Sequence, residues 1–283
     1  MGASAIPKMS SDNQVDRRDV AGASRSGAAP SSPFLEWLRG WFRIVFLGAR
    51  VLAFSFSGAG YTRAYRRTLL SRIYVATAPL VLWFTVLSSV ISLVIIRIVF
   101  VTAQSYGLSQ YALQMVVRVL VLELIPLTAA LFVALRVTLP DGMEVSAARA
   151  QGEFDERTRE GVQAVILEMT PRVVSGVFAA LALAAISGVV TLLLAYLTIY
   201  GFVGGGVEQY TRTVGQIFDP TVTLVFILKT FFLSLAVALI PVGSALYDTP
   251  ERSLRSGGEI RILVRLSLVI LLIEAVSLIG NYS

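Results

Sequence analysis

The chain has no cysteine and no histidine, and only 15% of its 283 residues are charged. Without cysteine there is no disulfide framework and no thiolate nucleophile. Without either residue there is no zinc site of the usual ligand types and no imidazole for acid–base catalysis. The phosphate-cradling pattern G-x-x-x-x-G-K-[ST] is also missing, so any nucleotide the system uses is bound by another chain. The shortage of charge is the most informative of these. A soluble domain carries about 25% charged residues, whereas here hydrophobic residues reach 55% and mean hydropathy is +0.74.

What charge there is crowds into residues 1–72, 139–172 and 247–265. The stretches between are long and apolar enough to cross a hydrocarbon core of roughly 30 Å. These features predict an all-α integral membrane protein with five transmembrane helices, at about 73–101, 112–138, 173–200, 221–246 and 260–281. Residues 1–33, rich in Ser, Ala and Gly with no apolar period, read as a disordered cytoplasmic tail. Residues 34–57 read as an N-terminal interfacial amphipathic helix. Glu36, Arg39, Arg43 and Arg50 share one face, while Phe34, Trp37, Leu38, Trp41, Phe42, Val45 and Phe46 fill most of the rest. The rival reading is a further span, which would place charges where each costs about 2.5–3.5 kcal/mol. The remainder, 58–283, is the five-span domain, with a Gly-rich loop over 201–220.

The net charge of +6 does not point to nucleic acid, because the excess flanks the spans and orients them. Lys8, Arg17, Arg18, Arg25, Arg39, Arg43, Arg50, Arg63, Arg66, Arg67 and Arg72 precede the first span. Arg149, Arg157, Arg159 and Arg172 lie between the second and third, and Arg252, Arg255 and Arg261 between the fourth and fifth. The opposite loops hold only Arg212. This asymmetry places the N-terminus in the cytoplasm and the C-terminus outside.

Three ionisable residues fall inside spans: Glu123 in the second, Lys229 in the fourth and Glu274 in the fifth. Counted inward from the outer helix ends, all three lie ~12–15 Å deep at 1.5 Å per residue. Two acids and a base at one level can pair across helices or line a polar chamber. Their desolvation requires one or the other. A purely structural ion-pair network is the alternative. Arg97 and Arg118 lie shallower, where snorkelling to headgroups is the plainer reading than membership of the cluster. Pro79, Pro126 and Pro241 read as kinks, and the small residues of AALALAAISG in the third span as a close-packing face. Segment 139–171 is too long for a tight turn. Its Glu153, Phe154, Asp155, Glu156 and Arg157 mark either a solvated loop or a coupling helix for a cytosolic ATPase, with a new helix starting near Val162.

The ordered set Glu123-Leu124-x-Pro126, Thr128-Ala129-Ala130-Leu131, Val133-Ala134-x-Arg136-Val137 and Pro171-Arg172-Val173 resembles the signatures of MlaE/YrbE-type permeases. Lys229 within ILKTFFLSLAVAL and Glu274-Ala275-Val276, where that family usually has Asp-Ala-Val, extend the likeness across residues 60–281. Two positions depart. Leu122 stands where the family has an arginine, with Arg118 one helical turn earlier as the candidate substitute, and TLPDGMEVSAARAQ replaces a Gly-rich stretch after Arg136-Val137.

The resemblance implies a permease subunit of an MCE-type ABC transporter in a bacterial inner membrane, working as a homodimer. It implies a cytosolic ABC ATPase below, a periplasmic MCE-domain protein above, and phospholipid or another hydrophobic substrate between them. It implies no catalysis by this chain, no cofactor, no metal and no nucleic acid. An ion-coupled secondary transporter using Glu123 and Glu274 as proton sites is the second reading, though no inverted repeat supports it. An intramembrane hydrolase is a third, disfavoured by the missing His and Cys.

Overall fold

In a computed structural model the protein is described at residues 33–56, 63–152, 162–201, 204–247 and 258–282. The tail expected at 1–33 therefore lies almost wholly outside the described residues, and Glu153, Phe154, Asp155, Glu156 and Arg157 lie outside them entirely. Among the described residues every regular element is a helix. We label them α1 (Pro33–Phe56), α2 (Arg63–Ser105), α3 (Ser109–Ala150), α4 (Val162–Tyr200), α5 (Val207–Ile217), α6 (Pro220–Tyr247) and α7 (Gly258–Tyr282). Packing divides the chain into Met1–Arg39 and Gly40–Ser283. Of the first unit only the opening turns of α1 are described; the helical bundle belongs to the second.

Among the described residues five helices are long and apolar enough to span a membrane: Tyr65–Ser105, Ser109–Ala150, Val165–Tyr200, Pro220–Tyr247 and Ile260–Gly280. The five expected spans are present, and the chain is a multi-pass membrane protein. α1 is not among them. From Gly40 onward its Ile44, Leu47 and Val51 are buried, while Phe42, Val45 and Phe46 are exposed. The Arg50 guanidinium lies 4.3 Å from the centre of the Phe46 ring, a cation–π contact that keeps the charge at the helix surface. The buried face packs on α6, where Ile44 crosses Gly243 and Leu239 crosses Gly48.

The bundle packs in three apolar layers. The middle layer joins Phe84, Ala129, Val133, Ala180, Leu183, Val237 and Ile240. One end layer gathers Ile44, Val145, Met169, Val173 and Val242. The other gathers Ile96, Leu113, Val117, Leu120, Ala195 and Ile217. The small residues of α4 do form a packing face, with Ala179, Ala180 and Ala184 buried. By contrast α2 and α7 turn Leu82, Val86 and Val90, and Leu271, Leu272 and Val276, outward. In hydrocarbon such a surface carries no hydrophobic penalty, because lipid tails are as apolar as these side chains.

The helices run further than hydropathy indicates. α3 continues past the expected end at 138 to Ala150, because Gly142 and Val145 pack against α6. α4 begins at Val162, where the sequence places the start of a new helix, and runs on through Pro171 into the third span. Val165, Met169 and Val173 carry one apolar face through that proline. The expected Gly-rich loop contains α5, whose Val207, Tyr210, Val214 and Ile217 fall at helical spacing; the last three pack into the end layer.

Candidate functional site

α3 is not a regular α-helix. It opens into π-helical turns over Val117–Leu124 and again over Ala134–Thr138. Each π segment ends two residues before a proline, Pro126 and Pro140. Proline has no N–H and its ring collides with the carbonyl one turn back. Widening the preceding turn relieves that collision. The N–H of Ile125 reaches back to the Leu120 carbonyl and that of Leu139 to Ala134, both five residues away. Single-turn π insertions recur at functional sites because they rotate the side chains before them relative to those after. Here the rotated stretch carries Glu123.

Opposite it, α6 presents Lys229 and α7 presents Glu274. The Lys229 side chain is only 1% exposed. Its Nζ lies 2.6 Å from Glu274 Oε2 and is hydrogen-bonded to Glu123 Oε2. The three residues read in the sequence at one depth are thus brought together, each from a different spanning helix. Two carboxylates and one ammonium sum to a formal charge of −1. A buried ammonium in this setting is tolerable only because both partners reach it. The carboxylates themselves are 17% and 15% exposed, so the triad is not sealed on all sides. Glu274 Oε1 is buried and has no hydrogen-bond partner among the described residues.

Arg97 and Arg118 stand apart. Arg97 is exposed and Arg118 half-buried, and among the described residues no ion pair joins either of them to the triad. Leu122, where the resemblance expects an arginine, is itself buried.

Other polar contacts have no counterpart in the sequence reading. At the far end of α2, α3 and α4, Arg72 Nη1 lies 3.7 Å from Asp141 Oδ1. Arg172 Nη1 donates to Glu144 Oε2 at 3.0 Å and approaches the Asp141 carbonyl at 3.4 Å. Arg265 on α7 is buried, and its Nη1 lies 3.3 Å from Ser244 Oγ on α6. Leu266, Ile270 and Ser277 recur at helical spacing and are all buried, but Arg265 stands roughly 100–140° around the helix from that stripe, so the periodicity does not flag it. Two hydroxyl contacts complete the set: Ser92 and Thr191 meet at 3.0 Å between α2 and α4, and Thr138 donates to the Val237 carbonyl at 2.8 Å.

The arrangement holds three helices through one cation. Any relative movement of α3, α6 and α7 must either carry the triad along or exchange a carboxylate for another partner. A family model described as Permease MlaE matches residues 69–279, a stretch that contains all three charged residues. No curated protein matches the chain.

Proposed function

The chain belongs to the MlaE permease family and is the membrane-spanning permease subunit of a transporter; from that premise we propose that it works in an ATP-driven system of the MCE type, moving phospholipid or another hydrophobic substrate between the inner membrane and a periplasmic carrier. Two copies form the transmembrane pathway. A cytosolic ABC ATPase binds the cytoplasmic ends of α3 and α4 through Glu153–Arg157, and a periplasmic MCE-domain protein receives the substrate. The N-terminus is cytoplasmic and the C-terminus periplasmic, with α1 lying in the inner leaflet interface. ATP hydrolysis belongs to the partner, and this chain performs no chemistry itself.

The observation that carries the reading is the Glu123–Lys229–Glu274 triad, a polar link across three spans at a depth where a charge demands a purpose. The mechanical route to it is short. At the cytoplasmic end, Gly142 of α3 lies against the backbone of Pro241 on α6. Pro241 is twelve residues from Lys229, about 18 Å along the helix. A displacement of the α3 end by a closing ATPase would move α6 with it and shift Lys229 between its two carboxylates. The two pairings would then distinguish two packing states of the bundle.

The test is co-reconstitution of the chain with its ATPase in vesicles containing labelled phospholipid. The proposal expects transfer to an acceptor that requires ATP and is indifferent to a proton gradient. Transfer driven by a proton gradient without ATPase would replace it with the ion-coupled reading, in which Glu123 and Glu274 carry protons.

A further inference from the structure

A groove of about 850 Å³ opens between α2 and α3, well away from the triad. Its mouth holds Arg72, Arg136 and Asp141, and its walls are Val75, Pro79, Trp83 and Phe132. A narrower hollow of about 250 Å³ shares Leu87 and Phe132 with it and continues between the same two helices as far as Ser92 and Leu120. From Ser71 to Ser92 the pair covers about 30 Å of α2, close to the thickness of a hydrocarbon core. Arg136, thirteen residues from Glu123 on α3, lies roughly 20 Å from the triad along the helix.

The charges sit at one end only. Arg136 is exposed and makes no ion pair or hydrogen bond among the described residues. Arg72 keeps 40% of its side chain exposed and holds Asp141 only at 3.7 Å. Two guanidinium groups and one carboxylate leave the mouth with a formal charge of +1. Guanidinium forks match phosphate oxygens in pairs, and they do so more effectively where water is scarce. Trp83, 75% exposed, offers a broad apolar face directly along the wall. A basic mouth continuous with a long apolar trough fits an amphiphile with an anionic head, and fits a soluble anion poorly.

We infer that this groove binds one anionic glycerophospholipid from the leaflet nearest Arg72, its phosphate held by Arg136 and Arg72 and an acyl chain lying over Pro79, Trp83 and Phe132. The site rests on the lipid-handling reading for its role, since binding itself needs neither an ATPase nor transport. It gives the permease a lipid position at the cytoplasmic end of the spans, separate from the triad.

The experiment uses the purified full chain in detergent, titrated with brominated phosphatidylglycerol or brominated phosphatidylcholine while tryptophan fluorescence is read. A Trp83→Phe variant supplies the background from Trp37 and Trp41. The wild type should show saturable quenching of Trp83 at one lipid per chain, with phosphatidylglycerol favoured by about tenfold, the scale of one charge-assisted contact. R136Q should reduce that preference and R72Q/R136Q abolish it. Ala76→Phe, which narrows the wall without touching a charge, should weaken both lipids alike and keeps the test informative if the double variant folds poorly. Equal quenching by the two lipids in the wild type would overturn the inference, as would an undiminished preference in a folded R72Q/R136Q. Protection of Trp83 from both lipids would overturn it too, by showing that a second copy of the chain covers the groove. ATP-dependent transfer measured on the same preparation separates the two ideas. Selective binding without transfer leaves the groove standing and removes the ATP-driven reading, and transfer without selective binding does the reverse.

Discussion

Lys229 is the residue on which the interior of the bundle turns, and its neighbours determine what its loss would do. Replacing it by methionine keeps the length of the side chain but leaves Glu123 and Glu274 facing one another with no cation between them. Removing one member of a buried ion pair costs about 3–5 kcal/mol. Lys229→Met is therefore expected to insert, to melt well below the wild type in detergent, and to lose transport. An unchanged melting temperature would mean that the carboxylates find water or protons as readily as they find Lys229. These three residues are legible in the sequence because a charge inside an apolar run stands out, and because counting from the helix ends puts them at one depth. Arg265 is not legible in the same way. It lies four residues after Arg261, among the charges that flank the last helix, and it is off the buried stripe of Leu266, Ile270 and Ser277, so nothing in the periodicity separates it from that group.

Among the elements, α3 holds the most local detail. Its two π segments could be suspected from Pro126 and Pro140, but proline alone marks a kink and does not say whether the helix widens, bends or ends. Pro126→Ala restores an N–H and removes the ring collision, which lets the turn before it tighten toward α-geometry and rotates Glu123. Melting should hold or rise while transport falls; wild-type transport by a protein with a higher melting temperature would show that the π turns are incidental. At the end of α3 that packs on α6, a side chain added at Gly142 would meet the Pro241 carbonyl oxygen at 3.0 Å. That neighbour is backbone and does not yield. Gly142→Val should lower stability by about 1–3 kcal/mol, the range for overpacking. Gly215→Ala on α5, with nothing within 4 Å, should be neutral or slightly stabilising. Equal melting of the two variants would argue that α3 and α6 are not in close register there. The extension of α3 to Ala150 and the existence of α5 escape a hydropathy reading for one reason. Both stretches mix charges or glycines with apolar residues at helical spacing, and hydropathy averages that spacing away.

At the scale of the whole molecule, the number of spans can be read from hydropathy alone, since a membrane admits few alternatives to helices of that length. Which helices pair cannot. Each apolar stripe says that a face is buried, and none names its partner, so the central place of α6 between α1, α4, α7 and the end of α3 emerges only from the packing. The orientation predicted from Lys and Arg is directly testable, because the natural chain has no cysteine to obscure a single introduced one. A cysteine at Ser24 should be shielded from an impermeant maleimide in intact inner-membrane spheroplasts, and one at Ser283 should react. The reverse pattern would invert the bundle and with it the proposed place of the ATPase.

The proposed mechanism depends on a charged link across three spans that serves movement as well as cohesion. The most direct measurement is ATP-dependent phospholipid transfer by the triple variant Glu123→Gln, Lys229→Met, Glu274→Gln, reconstituted beside the wild type. With every charge of the triad removed and shape nearly kept, no buried ion is left unpaired, so melting should return close to the wild-type value while transfer stays lost. Transfer at the wild-type rate would show that the triad only holds the helices together, and the proposed link between ATPase and pathway would have to run elsewhere.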